Sequence, residues 1–227
     1  LVFAASREEE FVHKINGLSY AEIAAKGGGI LNSAQKIALA SEDELYEQAM
    51  ARLHHLMKLG TGAIEIKSGY GLNTANELKM LRVIKRIKET APIPVKSSFL
   101  GAHTYPLDFK ENHEGYIKQI IEEMLPVIAQ EKLADYIDVF CEDGFFSVTE
   151  TKRICEAGKG YGLKPKIHAN QLHASGGVEL GVQIGAVSVD HLETMNDAAI
   201  QALSKSTTIG TMLPTAAFFL RMPYQPA

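Results

Sequence analysis

The chain has no surplus of positive charge. Its 23 lysines and arginines stand against 27 aspartates and glutamates, a formal net charge of −4 at pH 7. Nucleic-acid binding usually demands a basic face, so no such partner is expected. No apolar run approaches the roughly 18 residues that suggest a membrane span, which argues against a membrane partner. The opening residues lack the basic start and apolar centre of a secretory leader. Cysteine is scarce: Cys141 and Cys155 are the two present, too few for a disulfide framework. A cytoplasmic location is the expectation. Two metal signatures are missing as well, since neither H-x-H nor H-E-x-x-H occurs.

What is present is apolar and ordered. Hydrophobic residues make up 46% of the 227, enough to bury a substantial core. Strand-length apolar runs, many of them β-branched, recur near 62–67, 94–100, 136–140, 165–168, 186–190 and 207–212. Helical periodicity lies between them. Met80, Leu81, Ile84 and Ile87 repeat at steps of three and four, as do Ile117, Ile120, Ile121, Met124 and Leu125. Ser19–Glu22, Ser41–Glu44, Thr74–Glu77 and Ser147–Glu150 each have the spacing of a capping box, in which the hydroxyl and the carboxylate satisfy each other's backbone N–H. Pro126 interrupts a helical run and is expected to start a second short helix.

Strand and helix alternate about six times, which argues for parallel strands with crossover helices. A (β/α)₈ barrel and a doubly wound sheet are the competing forms. No glycine-rich phosphate loop follows the first strand, which weakens the second. Six units fall short of eight. The chain opens inside what reads as a strand end, Leu1-Val2-Phe3-Ala4, and stops at Arg221–Ala227 with no closing element. The expectation is therefore one catalytic barrel segment, 1–227, truncated at both ends.

Polar residues collect where the apolar runs stop. Lys67-Ser68-Gly69-Tyr70-Gly71, Gly101-Ala102-His103, Cys141-Glu142-Asp143, His168 with Gln171, and His191 with Glu193 each follow one. If the strands run parallel, these groups face one mouth, the end of a barrel where chemistry sits. A neutral imidazole there can bind a metal or move a proton. Plainer roles compete. His13, His54, His55, His113 and His173 read as surface or packing residues. Cys141 could be a nucleophile but has no nearby histidine in sequence. Lys67 could form a Schiff base, as in barrel aldolases. Tyr70 is either a substrate contact or part of a turn. His168 and His191 alone do not fill a catalytic zinc site, which takes about three protein ligands.

Several long motifs occur in one order: Leu1-Val2-Phe3-Ala4-Ala5-Ser6-Arg7, Glu65-Ile66-Lys67-Ser68-Gly69-Tyr70-Gly71, Phe99-Leu100-Gly101-Ala102-His103, Asp138-Val139-Phe140-Cys141-Glu142, Lys166-Ile167-His168-Ala169, Asp190-His191-Leu192-Glu193 and Leu213-Pro214-Thr215-Ala216-Ala217-Phe218-Phe219-Leu220. Through them the chain resembles the imidazolonepropionase family of the amidohydrolase superfamily. The resemblance implies a metal-dependent (β/α)₈ barrel with a small β-sandwich formed by both ends of the full chain. By the same resemblance, the first and last barrel strands and the sandwich are expected to lie outside this segment. The implied reaction opens the ring of 4-imidazolone-5-propanoate to N-formimidoyl-L-glutamate in histidine degradation. The implied metal is zinc or iron, held by an H-x-H pair, a later histidine and a late aspartate. His168 resembles that later histidine. The pair would fall before Leu1 and the aspartate beyond Ala227. By the same resemblance Arg7, Tyr70, His103 and Gln171 hold substrate. His191, with Gln171 beside the ring amide, does catalytic work. The segment alone is expected to be weakly active or inactive, with a homodimer as the candidate assembly. The alternatives are another mononuclear amidohydrolase, such as a cyclic-amidine deaminase, or a metal-free barrel lyase using Lys67.

Overall fold

The computed structural model describes residues 1–4, 6, 8–18, 30–222 and 224. Arg7 and the Ser19–Glu22 capping box lie outside the described residues. The chain divides into two compact units, Leu1–Ser98 and Phe99–Ala227.

The first unit holds helices α1 (Glu8–Ile15), α2 (Ile30–Leu39) and α3 (Glu42–Lys58), strand β1 (Ile64–Lys67) and helix α4 (Thr74–Thr90). It ends within strand β2 (Val95–Ala102), which runs on into the second unit. β1 and β2 pair in parallel, Ile64 opposite Val95 and Lys67 opposite Ser98. A parallel pair needs a crossover, and α4 supplies it. Its core face is the one the periodicity predicts: Met80, Leu81, Ile84 and Ile87 are all buried. Each such side chain contributes about 1.5–3 kcal/mol relative to an exposed one. α3 packs on α4 through Leu45, Ala49 and Leu53, spaced four apart on one face. The Lys79 ammonium donates to the carbonyls of Ile37, Ala38 and Ala40 at 2.8–3.2 Å. It thereby satisfies orphan acceptors at the end of α2 and opposes that helix's negative pole.

The second unit carries β3 (Tyr136–Cys141), β4 (Lys164–Ala169), β5 (Ser188–His191) and β6 (Ile209–Met212). All are parallel to their neighbours, and the order of strands in the sheet is the order in the sequence. Helices α5 (His113–Lys118), α6 (Leu125–Glu131), α7 (Val148–Gly160), α8 (Gly177–Gln183), α9 (Asp197–Ser204) and α10 (Pro214–Leu220) alternate with the strands. Six parallel strands alternating with helices are the incomplete (β/α)₈ pattern expected. Strand residues alternate sharply. Ile137, Val139, Ile167 and Val189 are buried on the helix side; Asp138, Lys166, His168, Ser188 and Asp190 occupy the other positions of the same strands. α8 lies so close that a Cβ at Gly181 would stand 2.5 Å from Val189 Cγ1, so no larger residue fits there.

Two expectations about helix ends need correcting. Ser41–Glu44 and Ser147–Glu150 form complete capping boxes. Thr74–Glu77 does not: α4 is capped by Asn73, whose side chain accepts from the Asn76 N–H at 2.9 Å. Pro126 does stand in the first turn of a short helix, α6, as expected, but the run is not broken before it: the chain stays helical from His113 because Gln119–Met124 forms a π-helical segment. The wider i→i+5 pattern absorbs a proline that an uninterrupted α-helix would reject.

Candidate functional site

The ends of β4 and β5 bring the two strand-end histidines together. Their ring centroids are 5.3 Å apart. Register explains it: His168 stands opposite Asp190 and Ala169 opposite His191. The following loops are tied to each other as well. The Thr194 N–H and hydroxyl both donate to the Asn170 carbonyl at 2.8 Å. The backbone is held in rare geometry, with positive φ at Asn170 (55°), His191 (92°) and Leu192 (64°). Such strain persists only where surroundings over-determine it, and it gathers at functional sites.

Each histidine has a carboxylate on one ring nitrogen. His168 Nδ1 is 2.9 Å from Asp138 Oδ1, and Asp138 is fully buried. This directs Nε2 to the opposite side of the ring. His191 Nδ1 is 3.3 Å from Glu193 Oε1. Burial, and next the charge of His168, lower the His191 pKa to about 4, so its imidazole is neutral at pH 7. Burial pushes the Glu193 carboxyl up. Phe140 bridges to the third histidine, with ring centroids 6.4 Å from His168 and 6.2 Å from His103.

Asp138, His168 and Asp190 could hold a metal ion, since their donor atoms lie within 4.8 Å of one another. The three are not equivalent. Asp138 is bonded to the His168 ring from behind. Asp190 is committed to Lys166 Nζ at 3.4 Å and accepts from the Ser188 hydroxyl at 2.7 Å. The donor set therefore fits a metal reached through His168 Nε2, with Asp138 as the carboxylate that orients a ligating imidazole. A second acidic group, Glu142, Asp143 and His173, has a different character. Glu142 accepts from the N–H groups of Asp143, Leu172 and His173 at 3.0, 2.8 and 3.3 Å, and its Oε1 lies 3.1 Å from His173 Nδ1. Donors converge on it, so it anchors the loop that carries the half-buried Gln171.

Tyr70 belongs to the first unit, in the loop after β1, and is half-buried. Lys67 is 2.6 Å from Glu65, which also accepts from the Ser98 hydroxyl. A Schiff-base lysine needs desolvation or a neighbouring cation to shed its proton, and Lys67 has a carboxylate instead. Burial pushes the Cys141 thiol up, which opposes a nucleophilic role. The residues missed from sequence are Asp138, Lys166 and Asp190. Lys166 was within reach, because period two puts it on the same face as His168.

No protein-family model matches the chain. Among curated proteins, an imidazolonepropionase from Flavobacterium johnsoniae is 58% identical over 227 residues, all of this chain and 55% of that protein. One from Thermoanaerobacter pseudethanolicus is 44% identical over 224 residues, 99% of this chain and 54% of that protein. The chain is similar to imidazolonepropionases along its whole length. It spans about half the length of the family members it matches. Among solved structures, a 5-methylcytosine deaminase from Klebsiella pneumoniae superposes with a TM-score of 0.64 at 14% identity, covering 84% of this chain and 48% of that one. An adenosine deaminase from Xanthomonas campestris with bound zinc gives 0.54 at 10% identity, covering 83% and 44%. These distant likenesses concern the fold.

Proposed function

We propose that the protein to which this chain belongs hydrolyses the ring of 4-imidazolone-5-propanoate to N-formimidoyl-L-glutamate, as the family name implies. The observation that carries this reading is the alignment of the whole chain with an imidazolonepropionase at 58% identity. The paired histidines agree with it.

In this reading His168 Nε2 ligates zinc or iron, and Asp138 keeps the ring turned. By the resemblance, an H-x-H pair and an aspartate from parts of the protein outside this chain would complete the set. A metal there supplies Lewis acidity and a water of lowered pKa. His191 handles the proton. With Nδ1–H held by Glu193, its Nε2 is free to accept one, as a general base must. Water adds to the ring carbonyl carbon, the ring C–N bond breaks, and the proton from water ends on the departing nitrogen. Gln171 can both donate to and accept from the ring amide, which an ionised glutamate could not do. It carries no charge with which to act as a base. Arg7 suits the propanoate, because its guanidinium fork pairs a carboxylate bidentately. Tyr70 and His103 complete the substrate contacts. These three assignments rest on the family resemblance.

Ammonia separates this reading from the nearest alternative. Ring opening adds one water and releases nothing, whereas deamination releases ammonia. Full-length protein incubated with 4-imidazolone-5-propanoate should bleach the substrate absorbance and yield one product heavier by one water, without ammonia. Ammonia release, or an inert substrate with fully metallated protein, counts against it.

A further inference from the structure

Thr74–Glu77 has the spacing of a capping box, yet Glu77 does not serve its own helix. Its side chain is fully buried and reaches back to the loop between β1 and α4. The Gly69 N–H donates to its two oxygens at 3.0 and 3.2 Å. The Gly71 N–H donates at 2.6 Å and the Leu72 N–H at 3.3 Å. The Ser68 hydroxyl donates too. Burial pushes the carboxyl up, and these donors pull it back.

The backbone is shaped to this one side chain. Gly69 has φ 112° and Leu72 has φ 55°, both in the left-handed region. A Cβ at Gly71 would lie 2.3 Å from the Glu77 nitrogen, so only glycine allows the approach. Successive N–H groups turned into one concavity ordinarily cradle an anion. Here the chain's own carboxylate fills the cradle. Tyr70 stands between two of the donors, Gly69 and Gly71, so its backbone is gripped on both sides.

We propose that Glu77 is a positioning residue for Tyr70, holding the 68–72 loop in the one shape that presents Tyr70 to substrate. This rests on the reading of Tyr70 as a substrate contact. Fixing the loop before substrate arrives removes an ordering cost from binding. Its loss should therefore appear in KM more than in kcat.

The test is a double-mutant cycle in the full-length, metal-loaded protein with 4-imidazolone-5-propanoate. Glu77→Gln keeps the volume but replaces one acceptor with an NH₂ that faces N–H donors. We expect it to raise KM about tenfold and to leave kcat within about threefold. Tyr70→Ala should raise KM by a similar factor, and Glu77→Gln should add little in the Tyr70→Ala background. If Tyr70→Ala leaves KM unchanged, the substrate-contact reading fails and the proposal falls with it. If Tyr70→Ala raises KM but Glu77→Gln acts equally in both backgrounds, the reading stands and the positioning role is overturned. Should Glu77→Gln not fold, hydrogen exchange of the native protein still decides. The Gly69, Gly71 and Leu72 amides are expected to be protected, and exchange at the rate of an exposed loop would overturn the proposal.

Discussion

A ligating imidazole needs its second ring nitrogen tied down, or the ring turns and the donor is lost. Asp138 provides that tie at 2.9 Å. Asp138→Asn in the full-length protein should therefore weaken metal binding by about 10–100-fold. Competition with a chelator would measure this, and unchanged affinity would mean that Asp138 orients nothing. At this scale the sequence was partly legible. His168 and His191 announced themselves as polar residues ending apolar runs. Asp138 did not, because its partnership depends on the β3–β4 register, which sets Phe140 opposite His168. Nothing local in the sequence encodes that pairing. Glu77 was visible and misread. Its spacing from Thr74 matched a capping box, but Asn73 already supplied the cap, and the loop N–H groups offered the carboxylate a better set of partners.

Among the elements, all six expected strands are present with ends shifted by a few residues. In β3, β4 and β5 the alternation of buried apolar and site-facing polar residues follows from period two. The helices were equally legible wherever a cap and an apolar stripe agreed. Ser147–Glu150 is such a case, with reciprocal bonds of 3.3 and 2.8 Å. Ser147→Ala should cost about 1 kcal/mol by removing the acceptor for the Glu150 N–H. Urea denaturation would measure it, and a loss below 0.2 kcal/mol, against this typical size, would mean that water replaces the cap freely. The π segment before Pro126 was not legible. Apolar spacing reads the same for a continuous helix and for one with a local change of register, and proline suggests a break by default.

For the whole molecule, the family match and the share of each relative covered bear on what this segment can do alone. The chain accounts for 55% of the length of its Flavobacterium johnsoniae relative. One imidazole among the described residues is positioned as a metal donor with an orienting carboxylate behind it, short of the roughly three ligands a catalytic zinc takes. The 227-residue segment by itself should accordingly turn over 4-imidazolone-5-propanoate weakly or not at all. It should also self-associate as concentration rises. All four residues of β6 are exposed, Ile209 by 61%, and Phe218 beyond it by 67%; an open apolar strand edge invites pairing. Size-exclusion chromatography over a dilution series would show it. A monomer at every concentration would contradict it.

The division of labour between the two histidines is the centre of the account, and metal content read beside turnover tests it most directly. In the full-length protein, His168→Ala should lose most of its metal and its activity together. His191→Ala should keep its metal at the native stoichiometry and lose rate. A His168→Ala protein that retains native metal and native turnover would contradict the account.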